Sequence, residues 1–201
     1  MKQLSKKMPI LVCIPSQPYS TDPIDYDSAI HHVVFRSVYA SLVTQYGGQI
    51  KGYLAESWST DEQFKVWTFN LRPNLNFSNG EPLTADSVVQ SLIRLAFVMK
   101  NKGSHSPIFD NLIGFENITS PNSSIPGLTA VDNKIVFKLK TALRKFLETI
   151  SFGQYAIVNH ANFNPSDGSW LDKKAIVASG AYSLKSWTDH EINLERRTTS
   201  E

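Results

Sequence analysis

Between Val66 and Arg72 the side chains alternate in character, and no other feature limits the fold of this chain so tightly. Trp67, Phe69 and Leu71 fall on one side, and Thr68, Asn70 and Arg72 on the other. That is the period of a strand with one buried face. The strand runs into Pro73. Ser78-Asn79-Gly80 then supplies turn chemistry, because Asn and Gly accept left-handed backbone angles. Thr84 stands where a helix N-cap accepts a backbone N–H. From Ala85 the residues Val88, Leu92, Leu95 and Met99 form one helical stripe, widened by Val89 and Ala96. Strand, turn and capped helix in this order call for a mixed α/β architecture, with the stripe packed inward.

The remaining segments read in the same way. Ile30, Val33, Val34, Val38 and Leu42 recur at helical spacing behind Asp27-Ser28, a plausible cap, and Gly47-Gly48 closes the element. This predicts a helix of about four turns. Met8 to Ile14 is expected to form a first strand. Asn101 to Pro126, rich in Asn, Ser, Gly and Pro, reads as a long surface loop. Asp132-Asn133 turns the chain into a strand at Ile135, Phe137 and Leu139, followed by a short helix around Phe146, Leu147 and Ile150. No internal repeat is present.

The run from Leu54 to Leu92 resembles the amino-terminal signature of bacterial extracellular solute-binding proteins of family 5, the oligopeptide-binding type of ABC importers. The family pattern is Ala-Glu-x-Trp, a short polar turn, Thr-Phe-x-Leu-Arg, an aromatic residue, Gly-x-Pro-hydrophobic-Thr-Ala-x-Asp and a helix. Ala55, Glu56, Trp58, Thr68, Phe69, Leu71, Arg72, Phe77, Gly80, Pro82, Thr84 and Ala85 meet it. Asp86 follows Ala85 directly, where many members place another residue between. Thr21-Asp22-Pro23 is similar to the family's opening Leu-Asp-Pro turn, with Thr21 in place of Leu. Ser179-Gly180-Ala181-Tyr182-Ser183-Leu184 and Ile192 to Arg196 look like its Gly-x-Tyr-x-Leu hairpin.

The resemblance implies a periplasmic-binding-protein-like α/β fold reaching only the amino-terminal part of such a protein. Residues 1–45 would begin lobe I, residues 46–173 would form an inserted smaller α/β domain II, and residues 174–201 would return into a truncated lobe I, with lobe III absent. It also implies capture of an oligopeptide or a related small solute outside the cytoplasmic membrane, in the periplasm, by a monomer that docks on an ABC permease. No cofactor is implied. By alignment outward from Thr21-Asp22-Pro23 and Arg36, the ligand-contacting loop falls at Asp27, Ser28 and Ala29. Asp27 serves equally well as a helix cap. Ser106-Pro107-Ile108 is similar to a segment where relatives carry an aromatic ligand contact, which places Ile108 at the site.

Other classes find little support. The chain carries no Gly-x-Ser-x-Gly elbow, no phosphate loop ending in Gly-Lys-Ser/Thr, and neither Cys-x-x-Cys nor His-Glu-x-x-His spacing. An enzyme is therefore not expected. Adjacent residues His31 and His32 project differently from a helix, so they suit solvated positions better than a shared metal. A net charge of +2 without Lys/Arg clusters argues against nucleic acid. Cys13 is the single cysteine, expected buried and structural. The apolar stretch after Lys6-Lys7 is broken by Pro9 and Pro15, too short for a signal-peptide core. A cytoplasmic ligand-sensing module of a regulator is accordingly the alternative, although no helix-turn-helix accompanies it.

Overall fold

The computed structural model describes residues 10–14, 16, 18–25, 29–171, 176–188 and 190–197, with backbone alone at Ala29 and Ile30. A 3-10 turn at Pro23–Asp25 precedes α1 (Ala29–Val38), and the hairpin of β1 (Val43–Tyr46) and β2 (Gln49–Gly52) follows. Next come β3 (Ala55–Thr60), β4 (Val66–Leu71) and α2 (Ala85–Asn101). β5 (Leu128–Val131), β6 (Lys134–Lys138), α3 (Phe146–Ile150) and the closing hairpin of β7 (Tyr182–Trp187) and β8 (Ile192–Arg196) complete the order.

The central unit is an antiparallel four-stranded sheet in the order β3-β4-β6-β5. In β4, Trp67, Phe69 and Leu71 are buried, and the residues between them are half-buried. β4 pairs with β6 so that Trp67 lies opposite Phe137 and Phe69 opposite Ile135. The α3 ring of Phe146 closes this aromatic group, stacked on Trp67 at 5.0 Å and edge-on to Phe137 at 5.0 Å. α2 lies against β5 and β6. Its Thr84 cap forms a full capping box: Thr84 Oγ1 accepts from the Ser87 N–H, and Ser87 Oγ accepts from the Thr84 N–H.

A second, smaller buried group joins Val34, Phe35 and Val38 of α1 and the adjoining Tyr39 with Ala156, Val158, Phe163, Ile176 and Ala178, and the β7–β8 hairpin leans on it through Leu184 and Leu194. Two sets of contacts bind the groups together. The chain leaves α1 at Ala40 and returns at Ile157, whose N–H donates to the Ala40 carbonyl at 2.8 Å. Alongside, Ser179 Oγ accepts from the Ala40 N–H and donates to the Ile157 carbonyl, while the Gly180 N–H donates to the Val38 carbonyl. A Cβ at Gly180 would lie 2.7 Å from the Ser37 carbonyl oxygen and 2.8 Å from the Tyr39 nitrogen, so only glycine fits.

The other tie is a buried ion pair. Arg94, on α2, donates from Nη1 and Nη2 to the two carboxylate oxygens of Asp22 at 2.8 and 2.6 Å. Its Nε and Nη2 also reach the Gly168 carbonyl at 2.9 and 2.7 Å. The guanidinium lies over the rings of Phe163 and Trp170, and Trp170 Nε1 donates to Thr21 Oγ1. Asp22 also accepts the Ile24 N–H, which shapes the Thr-Asp-Pro turn.

Four expectations need correction. α1 stops at Val38 rather than continuing to Gly47-Gly48: Leu42 and Val43 match the helical spacing but pack in the larger core as the chain enters β1. Gly47 and Gly48 have φ of +58° and +78° and form the β1–β2 turn, where two left-handed residues match strand twist. Residues 10–14, the described part of the expected first strand, are irregular, with Ile10, Leu11, Val12 and Cys13 exposed. No described strand lies beside them to take up backbone hydrogen bonds. The segment 102–126 is largely irregular, yet Ile108, Phe109, Leu112, Ile118 and Ile125 anchor it in the core. His31 is 1% exposed, edge-on to Tyr19 and packed on Phe35, instead of solvated.

Arg94→Met should lose about 3–5 kcal/mol in chemical denaturation, because it strands the buried Asp22 carboxylate. The double change Asp22→Leu/Arg94→Met should recover much of that loss. Gly180→Ala should lower stability by about 1–3 kcal/mol through overpacking against the end of α1.

Candidate functional site

Of the residues expected to meet ligand, Asp27 and Ser28 lie outside the described residues. Ala29 is the first residue of α1. Ile108 is fully buried in the larger core, within a turn in which the Asn111 N–H donates to its carbonyl. Ser106 on the same turn hydrogen-bonds the Tyr155 hydroxyl at 2.8 Å. Ile108 belongs to the larger packing group, whereas the described residues Val34, Phe35 and Val38 of α1 belong to the smaller one.

A cleft of about 340 Å³ lies between α1, the β1–β2 hairpin and the Ser151–Ala156 turn. His32, Phe35, Arg36 and Tyr39 line it from one face of the helix, at the i, i+3, i+4, i+7 positions that a helix brings together. Thr44, Gln45, Gly47 and Gly48 form the facing lip, and Tyr53, Phe152 and Ala156 add apolar wall.

Arg36 organises the cleft. Its Nη2 donates to Thr44 Oγ1 and to the Gln45 carbonyl, and its Nη1 lies 3.1 Å from His32 Nε2. A guanidinium has only donors, so His32 Nε2 accepts and the neutral ring carries its proton on Nδ1. Desolvation holds the His32 pKa below the usual imidazole value, and the neighbouring Arg36 charge lowers it further. Burial raises the phenol of Tyr53, against the opposing pull of the Ala181 N–H, Arg36 and Arg197. Burial likewise holds the Tyr39 phenol well above its ordinary value, and its hydroxyl donates to the Thr21 carbonyl at 2.8 Å.

Among the described residues the lining presents neutral hydroxyls, aromatic faces and one fixed positive charge, and no carboxylate. Such a surface can hold a solute. Among the described residues no group of three His, Cys, Asp or Glu side chains is placed to hold a metal ion, and no helix is long and apolar enough to cross a membrane.

Sequence reading used Arg36 only as an alignment anchor and did not single out Tyr53 or Phe152. One signal was visible for Arg36. It is a long cation set among the apolar residues of α1, at the i+4 position from His32. Nothing in the residues around Tyr53 and Phe152 distinguishes them from core aromatics.

A pH dependence follows from His32. Its depressed pKa contributes stability that is complete above the unfolded imidazole value and is lost as pH falls from there through the lower folded value. In an NMR titration its midpoint should lie below that of a free imidazole, and Arg36→Gln should move it upward by removing the adjacent charge.

Comparison with known proteins gives this geometry a family. The profile described as "Bacterial extracellular solute-binding proteins, family 5 Middle" matches residues 49–199. The periplasmic oligopeptide-binding protein OppA of Salmonella typhimurium is 27% identical over 203 residues, covering 96% of this chain and 37% of that protein. The periplasmic murein peptide-binding protein MppA of Escherichia coli is 29% identical over 191 residues, covering 90% of this chain and 34% of its own length. The solved structure of the Escherichia coli murein tripeptide binding protein MppA superposes with a TM-score of 0.70 at 25% identity, covering 91% of this chain and 37% of that one. The chain thus spans just over a third of the length of these relatives. It belongs to the bacterial extracellular solute-binding proteins of family 5.

Proposed function

We propose that this chain supplies an amino-terminal portion of the substrate-binding component of an ABC importer, which captures oligopeptides or a related small solute outside the cytoplasmic membrane and presents them to a permease. The role is binding and not catalysis. The observation that carries this reading is the match over 96% of the chain to a periplasmic oligopeptide-binding protein, together with a family profile that covers most of the sequence.

In this reading residues 1–45 and 174–201 belong to lobe I, and residues 46–173 to an inserted domain II. The two buried groups, one around the four-stranded sheet and one around α1 and the β7–β8 hairpin, support a two-part division, with Leu42 and Val43 already in the sheet group and Ala156, Val158 and Phe163 already back beside α1. Asp27, Ser28 and Ala29, leading into α1, meet the main chain of an extended ligand by strand-like pairing, which gives affinity without side-chain selection. Ile108 joins them only through its backbone, because its side chain is enclosed. The protein acts as a monomer and needs no cofactor.

The chain spans 37% of the oligopeptide-binding relative, so it offers only part of the surface that encloses a solute, and deep enclosure is what gives small-molecule sites their affinity. Titration of the 15N-labelled chain with trialanine should produce saturable amide shifts at residues 27–29 and the first turn of α1, with affinity weaker than micromolar. Micromolar binding in calorimetry would overturn the partial-surface reading. Shifts absent from this segment at millimolar peptide would overturn its assignment as a ligand contact. Asp27→Asn separates the two roles of that residue: it preserves a helix cap but weakens any contact that depends on the carboxylate charge.

A further inference from the structure

The α1 cleft contains a charge that no described residue neutralises. Among the described residues Arg36 forms no ion pair, and neither Asp nor Glu lines the space in front of it. Its position is nevertheless defined. Three of its five N–H groups are committed to Thr44 Oγ1, the Gln45 carbonyl and His32 Nε2. Two donors remain for solvent or a ligand. Preorganisation of this kind removes much of the rotamer entropy that a free arginine loses when it binds an anion.

The surroundings specify the rest of the ligand. Phe35 and Tyr39 wall the cleft on the helix side, and Tyr53 and Phe152 wall it opposite. Phe152 is 57% exposed, so it offers an accessible aromatic face to the cleft it lines. A cavity of about 340 Å³ lies at the small end of the range for small-molecule sites, enough for one aromatic or branched side chain with its terminal group. Aromatic walls with a single oriented cation select an anion on an apolar body, and a carboxylate oxygen can accept a charge-assisted bond from either of the two remaining N–H groups.

We propose that the cleft is a binding subsite for a carboxylate carried on an apolar or aromatic group, with Arg36 as its charge partner and Phe152 as its outer wall. The subsite does not depend on whether residues 27–29 pair with a peptide main chain. A peptide carboxy terminus and a free aryl or alkyl carboxylic acid present the same chemistry to it.

The test uses N-acetyl-phenylalanine, its uncharged amide and acetate as probes, read by 1H–15N shifts of the full chain at Gly47, Gly48 and Arg36 Nε. The acid should give saturable shifts at these positions. The amide and acetate should each bind on the order of ten-fold more weakly or worse, the amide for want of charge and acetate for want of an apolar body. Arg36→Gln should weaken the acid by a similar factor and leave the amide unchanged. Because Arg36 also holds the hairpin lip, Phe152→Ala is the independent variant. It removes an exposed side chain, so it should spare the fold, weaken the acid several-fold and leave acetate alone. Equal binding of acid and amide overturns the proposal, as does an unaltered affinity in folded Arg36→Gln or in Phe152→Ala. Shifts confined to residues 27–29 would also overturn it, while leaving the main-chain pairing reading intact.

Discussion

The buried pair of Asp22 and Arg94 is the interaction through which the rest of the molecule is held in register. Asp22 belongs to the turn before α1, and Arg94 sits in the middle of α2, which packs on the four-stranded sheet. Between them the guanidinium also gathers the Gly168 carbonyl and the rings of Phe163 and Trp170. Three stretches far apart in sequence therefore converge on one planar cation. A buried charge pair is a poor source of net stability compared with an apolar contact of the same volume, but it tolerates few alternative arrangements. Its value here is geometric. It orients the turn leading into α1 relative to the sheet domain, and α1 carries one whole wall of the cleft.

That dependence explains what sequence reading reached and what it did not. The alternation in Val66–Leu71 and the Thr84 cap were legible because both are local: period two and a capping side chain act over a few residues. The β7–β8 hairpin was legible through its motif, with pairing from Tyr182 opposite Arg196 to Trp187 opposite Ile192. Arg94 was not legible, since on a helical stripe it reads as one more solvated cation, and only its partner 72 residues away makes it a core residue. The same holds for His31, whose neighbours Tyr19 and Phe35 bury it.

Misreading of the α1 end has a related cause. Val34, Val38 and Leu42 keep helical spacing, yet Val34 and Val38 pack in the smaller group and Leu42 in the larger. Periodicity reports that residues share a face and is silent about which core that face meets. Gly47-Gly48 was read as a helix terminator because glycine serves that role too; its paired left-handed angles instead belong to a hairpin turn. For ligand contacts, the family resemblance led to residues 27–29. The Arg36 arrangement needed the hairpin to be placed beside the helix before its acceptors could be recognised.

The bridge between Ala40 and Ile157 has a consequence for how such a molecule changes over evolutionary time. Everything from residue 41 to residue 156 leaves and re-enters the α1 region at adjacent, hydrogen-bonded points. To that region, the sheet domain is a loop whose ends are already closed. The entropy of closing a loop rises only logarithmically with its length, about 0.6 kcal/mol for each doubling. Insertions, deletions or wholesale remodelling within the excursion can therefore accumulate with little penalty on the α1 side, provided that the two crossing points and the Asp22–Arg94 anchor survive. Lineages built on this plan are free to lengthen, shorten or resurface the excursion as a module while α1 keeps its place.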